Sequence, residues 1–180
     1  KEKLSNLIGK EVSPEDFSVR KAKDNESLVC LDGKKYELNE NITVVTCCDK
    51  PVAIAGVIGG LETSVTNTTS SIYLEGAVFN PVTIRKSSKA VGIRTESSSR
   101  YEKGISSKNT ISAVTRAINL LEEYFSINLS IINTSKLKND EDIFIKLRRN
   151  RIHKILGPLI INDQFEKRNL SDNEIVDKLT

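Results

Sequence analysis

Three features of the 180-residue sequence predict an α+β fold built from a mixed sheet with packed helices. Short strand-like runs separated by turn residues crowd its first half, helical periodicity is concentrated later, and no regular strand–helix alternation is visible that would build a doubly wound sheet. A polar, charged stretch at residues 134–142, TSKLKNDED, reads as a linker. The chain therefore divides into a first domain over residues 1–133, the linker, and the start of a second, small α/β domain over residues 143–180.

The elements follow from local chemistry. FSVRKA is strand-like, and SLVCLDGKKYEL carries Asp32-Gly33, a two-residue turn that predicts a hairpin from Leu28 to Leu38. ITVVTCC is a β-branched run that leads through Asp49-Lys50-Pro51 into VAIAGVIGG, an apolar strand expected to turn at Gly59 and Gly60. SIYLEGAVF reads as a further strand closed by Asn80-Pro81, after which PVTIRKSSKAV begins as a helix with proline in its first turn. A second helix is predicted from Lys108 to Phe125. Its apolar positions Ile111, Val114, Ile118, Leu121 and Phe125 share one face, which is expected to pack on the sheet. Beyond the linker, IFIKLRRNRIHKILG gives a short strand and a basic helix capped by Gly157. SDNEIVDKL starts a last helix with Ser171 or Asp172 as its cap and Glu174 in its first turn.

Composition excludes several classes. With 38% hydrophobic and 28% charged residues the chain is an ordinary globular protein rather than a disordered one. A net charge of +3 permits an RNA partner without pointing to one. Cys30, Cys47 and Cys48 are odd in number and lack ligand spacing, and adjacent Cys47 and Cys48 on a strand would face opposite ways, so neither a disulfide framework nor a zinc site is expected. A reducing compartment is the simplest inference. No apolar run approaches the roughly 20 residues that span a bilayer, and KEKLSNLIGK lacks a signal-peptide core. The absence of Met at position 1 and an end inside a helical pattern suggest a chain cut from a longer one.

Few residues suggest chemistry on their own. AIAGVIGG lacks GxGxxG spacing and a following Lys-Ser/Thr, so Gly56 reads as a place where a backbone or ligand approaches a strand rather than as part of a phosphate loop. Glu75 interrupts an apolar strand on the face of Tyr73 and Ala77. It is either a solvated carboxylate or one that accepts a ligand hydroxyl. Thr95, Ser97, Ser98 and Ser99 crowd hydroxyls into one turn, usually a capped, solvated loop. A serine nucleophile would need a histidine base, and the sole histidine, His153, lies in the second segment. The run KLRRNRIHK is a solvated basic face or a phosphate contact.

Taken in order, PVAIAGVIGGLETSVT, SIYLEGAVFNPVTIRKSSKAVGIRTESSSRYEKGIS and IKLRRNRIHKILG resemble successive signatures of the bacterial phenylalanyl-tRNA synthetase β-subunit family. The first two resemble its B3/B4 editing module and the third the start of its B5 domain. The resemblance implies hydrolysis of mischarged Tyr-tRNA(Phe) here, with aminoacylation in an α subunit, a hetero-tetramer of two α and two β subunits, tRNA(Phe) as partner, a cytoplasmic location and no membrane. It implies ATP and Mg2+ for the whole synthetase and no cofactor or metal in these residues.

The resemblance also assigns roles. Glu75 matches the glutamate that takes the tyrosine hydroxyl, Gly56 a glycine of the pocket wall and Thr95 a lining threonine. Ser97 stands where the family carries alanine, and Arg100, Glu102 and Gly104 match a structural turn. An asparagine and a histidine of the family pocket match nothing in this chain and are expected upstream of it. No catalytic residue is therefore assigned here, and the 180 residues alone are expected to be inactive. The chemistry is expected to use a positioned water rather than a covalent nucleophile. A non-catalytic tRNA- or protein-binding module sharing the fold is the alternative.

Overall fold

A computed structural model describes residues 1–129, 146, 148–160 and 167–177. They fall into two compact units, Lys1–Lys138 and Asn139–Thr180. The expected linker, and all but Lys146 of the strand expected after it, lie outside the described residues.

The first unit opens with helix α1, Glu2–Ile8, which buries Leu4 and ends at Gly9. A 3-10 turn, Pro14–Asp16, follows, its first residue preceded by Ser13, whose amide donates to the Asp16 carboxylate at 2.8 Å. Strand β1 is Phe17–Lys21, and β2, Ser27–Val29, pairs with β3, Lys35–Glu37, with Leu28 opposite Tyr36. The expected hairpin forms, but its loop is three residues, 31–33, rather than the two of Asp32-Gly33: the Cys30 amide donates to the Lys34 carbonyl, the Gly33 amide donates to the Cys30 carbonyl, and the Asp32 carboxylate accepts from the Lys34 amide. Strands β4, Thr43–Cys47, β5, Lys50–Ile54, and β6, Ile58–Gly59, complete a four-stranded sheet in the order β1-β4-β5-β6.

Every described strand pair is antiparallel, so the α+β class holds while the expected mixed sheet does not. The reason is connectivity. Strands β4, β5 and β6 follow one another through turns too short for the crossover of a dozen or more residues that a parallel pair needs, and residues 22–42 between β1 and β4 fold as the β2–β3 hairpin rather than as a crossover helix.

Strand β4 is buried along its whole length because both faces are covered. Val44 joins Ala22, Cys30, Leu38, Ile42, Ile54 and Val57 in one cluster; Val45 and Cys47 join Leu4, Val12, Val52 and Ala55 in the other. Val52 and Ile54 have the same strand parity yet lie in different clusters. The register explains it: Val45 pairs with Ala53 but Thr46 pairs with Pro51, leaving Val52 as a bulge that turns to the opposite face. Buried Thr46 is satisfied by the Ser18 hydroxyl across the β1–β4 pair at 2.7 Å.

Helix α2, Pro81–Val91, starts where the sequence places it. Proline occupies its first turn, the Asn80 side chain accepts from the amides of Val82 and Thr83, and Gly92 ends it with φ 69°. Its inner face buries Ile84 in the first cluster, and the Ser87 hydroxyl accepts from the Thr43 amide at 3.0 Å, which fixes the helix to the start of β4. Two further helices follow, α3 at Glu96–Tyr101 and α4 at Ser107–Tyr124.

Four further expectations need correction. The turn after β5 is not at Gly59 and Gly60 but at Ala55–Val57, closed by the Val57 amide on the Ile54 carbonyl; Gly59 lies in β6. The reason is Gly56, whose φ of 65° supplies the left-handed step. Segment 71–79 is not a strand. Its period-two exposure survives at Ile72, Tyr73, Leu74, Ala77, Val78 and Phe79, the odd positions half-buried and the even ones exposed, but no described strand pairs with it. Glu75 departs from that pattern, being exposed while Tyr73 and Ala77 are half-buried. Helix α4 buries no residue and leaves Ile111 half open and Phe125 exposed. Ile84 of α2 already occupies the sheet face it was expected to cover, and α4 instead meets the 71–79 segment at Gly76. Cys48 likewise leaves the strand, with φ 46°, and its thiol lies 3.2 Å from the Asp16 carboxylate.

In the second unit, α5 is Arg149–Leu156 with Gly157 as its cap, β7, Leu159–Ile160, pairs with β8, Lys167–Arg168, and α6 is Asp172–Asp177. Ser171 and Glu174 form the expected reciprocal cap of α6, and Arg168 pairs with the same glutamate. No helix among the described residues is long and apolar enough to cross a membrane.

Ile84 is wholly buried at the contact of α2 with the sheet. Ile84→Ala is expected to cost about 2–5 kcal/mol of unfolding free energy, read by denaturant titration, because the clamped helix cannot collapse into the cavity.

Candidate functional site

The turn at Gly56 is where the expected site residues meet. A methyl group at Gly56 would lie 2.9 Å from Ile84 Cδ1, 3.2 Å from Phe79 Cδ2 and 3.3 Å from Tyr101 Cδ2, so three side chains from separate segments converge on this backbone position. The rings of Phe79 and Tyr101 have centroids 5.2 Å apart at a tilt of 57°, the offset geometry that aromatic pairs favour.

Helix α3 is bound to the same turn. The Thr95 hydroxyl donates to the Val57 carbonyl at 2.7 Å and accepts from the Ser98 amide at 3.0 Å, so it caps α3 and anchors it at once. The Ser97 hydroxyl donates to the Gly56 carbonyl at 3.0 Å. Ser98, fully buried, closes the capping box: its hydroxyl accepts from the Thr95 amide at 2.9 Å and donates to the Thr95 carbonyl at 3.1 Å. Gly56, Thr95 and Ser97 thus come together as one hydrogen-bonded unit.

Glu75 stands apart from that network. It makes no hydrogen bond or ion pair with any described residue. Solvent reaches its side chain, yet protein crowds its carboxyl enough for burial to raise the pKa above the ordinary value; the desolvation is partial, and no charge or donor adds to it. Its charge is felt by Tyr101. Burial first, and then the Glu75 charge, raise the Tyr101 phenol, whose hydroxyl donates to the Ala77 carbonyl at 3.3 Å. Beside Glu75, Gly76 allows α4 to close in, since a methyl group there would lie 2.4 Å from Val114 Cγ2.

The other singled-out residues fall elsewhere. Glu102 pairs with Arg94 at 2.6 Å and Arg100 with Glu96 at 3.6 Å, while Gly104 takes φ 90° beside Pro81. His153 lies in α5 of the second unit, its Nδ1 buried without a partner among the described residues. No group of three or more His, Cys, Asp or Glu among the described residues is arranged to hold a metal ion. Sequence reasoning missed Phe79, Ile84 and Tyr101. The only hint was the placement of two aromatic residues at the ends of the segments that carry Glu75 and Thr95.

The B3/4 domain family profile matches residues 5–126, two thirds of the sequence and all of the elements that build this site. The chain belongs to this family. It is similar to proteins called phenylalanine--tRNA ligase beta subunit: 94% identical over all 180 residues to one from Prochlorococcus marinus strain MIT 9312, covering 22% of that protein. A relative from P. marinus subsp. pastoris is 68% identical over 99% of the chain and 23% of the relative. One from Synechococcus sp. strain CC9605 is 42% identical over 98% of the chain and 22% of the relative. The chain spans about a fifth of the length of these curated relatives.

In this B3/4 domain Gly56 and Ser97 should respond differently to alanine. Gly56→Ala combines left-handed strain with contacts to three packed side chains and is expected to cost about 1–3 kcal/mol. Ser97→Ala removes one hydrogen bond and should cost about 1 kcal/mol. Thermal melts of the two variants side by side check the order.

Proposed function

We propose that this B3/4 domain is the editing part of a phenylalanine--tRNA ligase β subunit, removing tyrosine wrongly esterified to tRNA(Phe). The observation that carries the reading is Glu75, a partly desolvated carboxylate with no partner among the described residues, whose charge is felt by the Tyr101 phenol. A pocket shaped for phenylalanine rejects an analogue that only adds a hydroxyl by roughly a hundredfold, so a second site must select on that hydroxyl. An unpaired carboxylate does so. The tyrosine phenol donates to it, while phenylalanine leaves it desolvated and unpaired, at a cost of roughly 1–3 kcal/mol.

The remaining residues supply shape. Gly56, with Phe79, Ile84 and Tyr101 around it, offers an apolar wall, and Thr95 and Ser97 hold α3 against that wall through backbone carbonyls. Because the hydroxyls of Thr95, Ser97 and Ser98 are already hydrogen-bonded to backbone, none is poised as a nucleophile. The attacking group is then a water: its oxygen adds to the ester carbonyl, the ester C–O bond breaks, and the tRNA 3′-terminal ribose oxygen takes the proton as free tyrosine leaves. Aminoacylation, with its ATP and Mg2+, belongs in this reading to an α subunit, in a cytoplasmic assembly of two α and two β subunits.

In the intact ligase, Glu75→Ala is expected to lower the preference for deacylating Tyr-tRNA over Phe-tRNA by about 5- to 150-fold, the equivalent of the unpaired-acceptor penalty. Equal preference before and after the substitution, in parallel deacylation assays, removes Glu75 from this role.

A further inference from the structure

We infer that the outer face of α2 is an RNA phosphate contact, in which Arg85, Lys86 and Lys89 hold the backbone of the substrate tRNA next to the Gly56 turn. This rests on the editing reading above and names how the substrate is held.

Charge is unevenly distributed along the chain. Residues 81–108 contain seven basic residues against two acidic ones, a net +5, whereas the whole chain carries +3; the rest of the molecule is slightly acidic. That window contains α2 and α3, the helices that converge on Gly56. Both of its acids are already engaged, Glu102 by Arg94 at 2.6 Å and Glu96 by Arg100 at 3.6 Å. Arg85, Lys86 and Lys89 are exposed and pair with no carboxylate among the described residues.

Helical geometry makes them one surface. Ile84, Ser87 and Ser88 form the buried face of α2, and Arg85 and Lys86 lie four and three residues before Lys89, on a single outward stripe. The helix is a fixed platform rather than a solvated arm. It is capped by Asn80, bonded to β4 through Ser87 and to the following loop through the Ser88 hydroxyl on the Ile93 carbonyl. Its inner side touches the Gly56 turn through Ile84, so a strand of phosphates laid on the outer stripe runs within one helix diameter, about 10–12 Å, of the site. Like charges at this spacing destabilise an isolated helix slightly, and a polyanion relieves that repulsion. Their arrangement favours RNA over an acidic protein surface, because the stripe has no exposed apolar centre beyond Val82 to form a protein interface core.

The test reads binding of the full chain to an uncharged acceptor-stem minihelix ending in CCA, across a salt series. Because the RNA carries no amino acid, the result is separate from the Glu75 selectivity assay. Combined Arg85→Gln, Lys86→Gln and Lys89→Gln is expected to flatten the slope of log affinity against log salt by about 2–3, with affinity at least about tenfold weaker at low salt. A control with Lys21→Gln, Lys34→Gln and Lys50→Gln, three exposed lysines outside the window, is expected to stay within about twofold of wild type, and thermal melts show that both variants are folded. An unchanged slope in the α2 variant, an equal loss in the control, or equally tight binding to polyglutamate or anionic phospholipid vesicles overturns the inference.

Discussion

The site depends on one backbone step, the left-handed turn at Gly56. It ends β5, starts β6 and presents two consecutive carbonyls, those of Gly56 and Val57, to the hydroxyls of Ser97 and Thr95. Because Gly56 has no side chain, Ile84, Phe79 and Tyr101 can converge on it. A helix forty residues away in sequence is thereby held against the sheet by two hydrogen bonds rather than by a large apolar face, which its short, serine-rich sequence could not supply.

This arrangement separates structural from chemical polarity. In the hydroxyl-rich turn, the most reactive-looking part of the sequence, the hydroxyls of Thr95, Ser97 and Ser98 are taken up by capping and anchoring. Glu75, by contrast, is a carboxylate without a partner among the described residues, in a segment that pairs with no described strand, and its charge is felt by Tyr101. Ser97 fits the same logic: its hydroxyl turns to the Gly56 carbonyl, so it adds a tether to the turn.

The parts legible in the sequence were those set by local backbone chemistry. Asn80-Pro81 and Gly92 delimit α2, Asp32-Gly33 lies in the hairpin loop, and Ser171 with Glu174 caps α6, because each acts within a few residues. What failed depended on distant partners. The 71–79 run has strand composition and keeps its alternation, but pairing needs a neighbouring strand that no described residue provides. The α4 periodicity was correct while its destination was not, since Ile84 had already taken the sheet face. The T-x-x-S cap that starts α3 at Thr95 was hidden among other hydroxyls. Gly56 stood out in its glycine-rich run and Thr95 in its cluster of hydroxyls, and family resemblance assigned both to a pocket, whereas Phe79 and Tyr101 become visible only once the turn brings their segments together.

The central claim is that Glu75 selects on a hydroxyl through its charge. The most direct measurement is calorimetric binding of two non-hydrolysable 3′-aminoacylamino-adenosines, tyrosyl and phenylalanyl, to the intact β subunit as pH is lowered. Since burial raises the Glu75 carboxyl above its ordinary value, the ionised acceptor is present above that raised pKa and lost as pH falls through it. The account predicts a preference for the tyrosyl compound of about 5- to 150-fold at neutral pH that declines on acidification and is absent at all pH values in Glu75→Gln. A tyrosyl preference of the same size in wild type and Glu75→Gln, flat across pH, contradicts it.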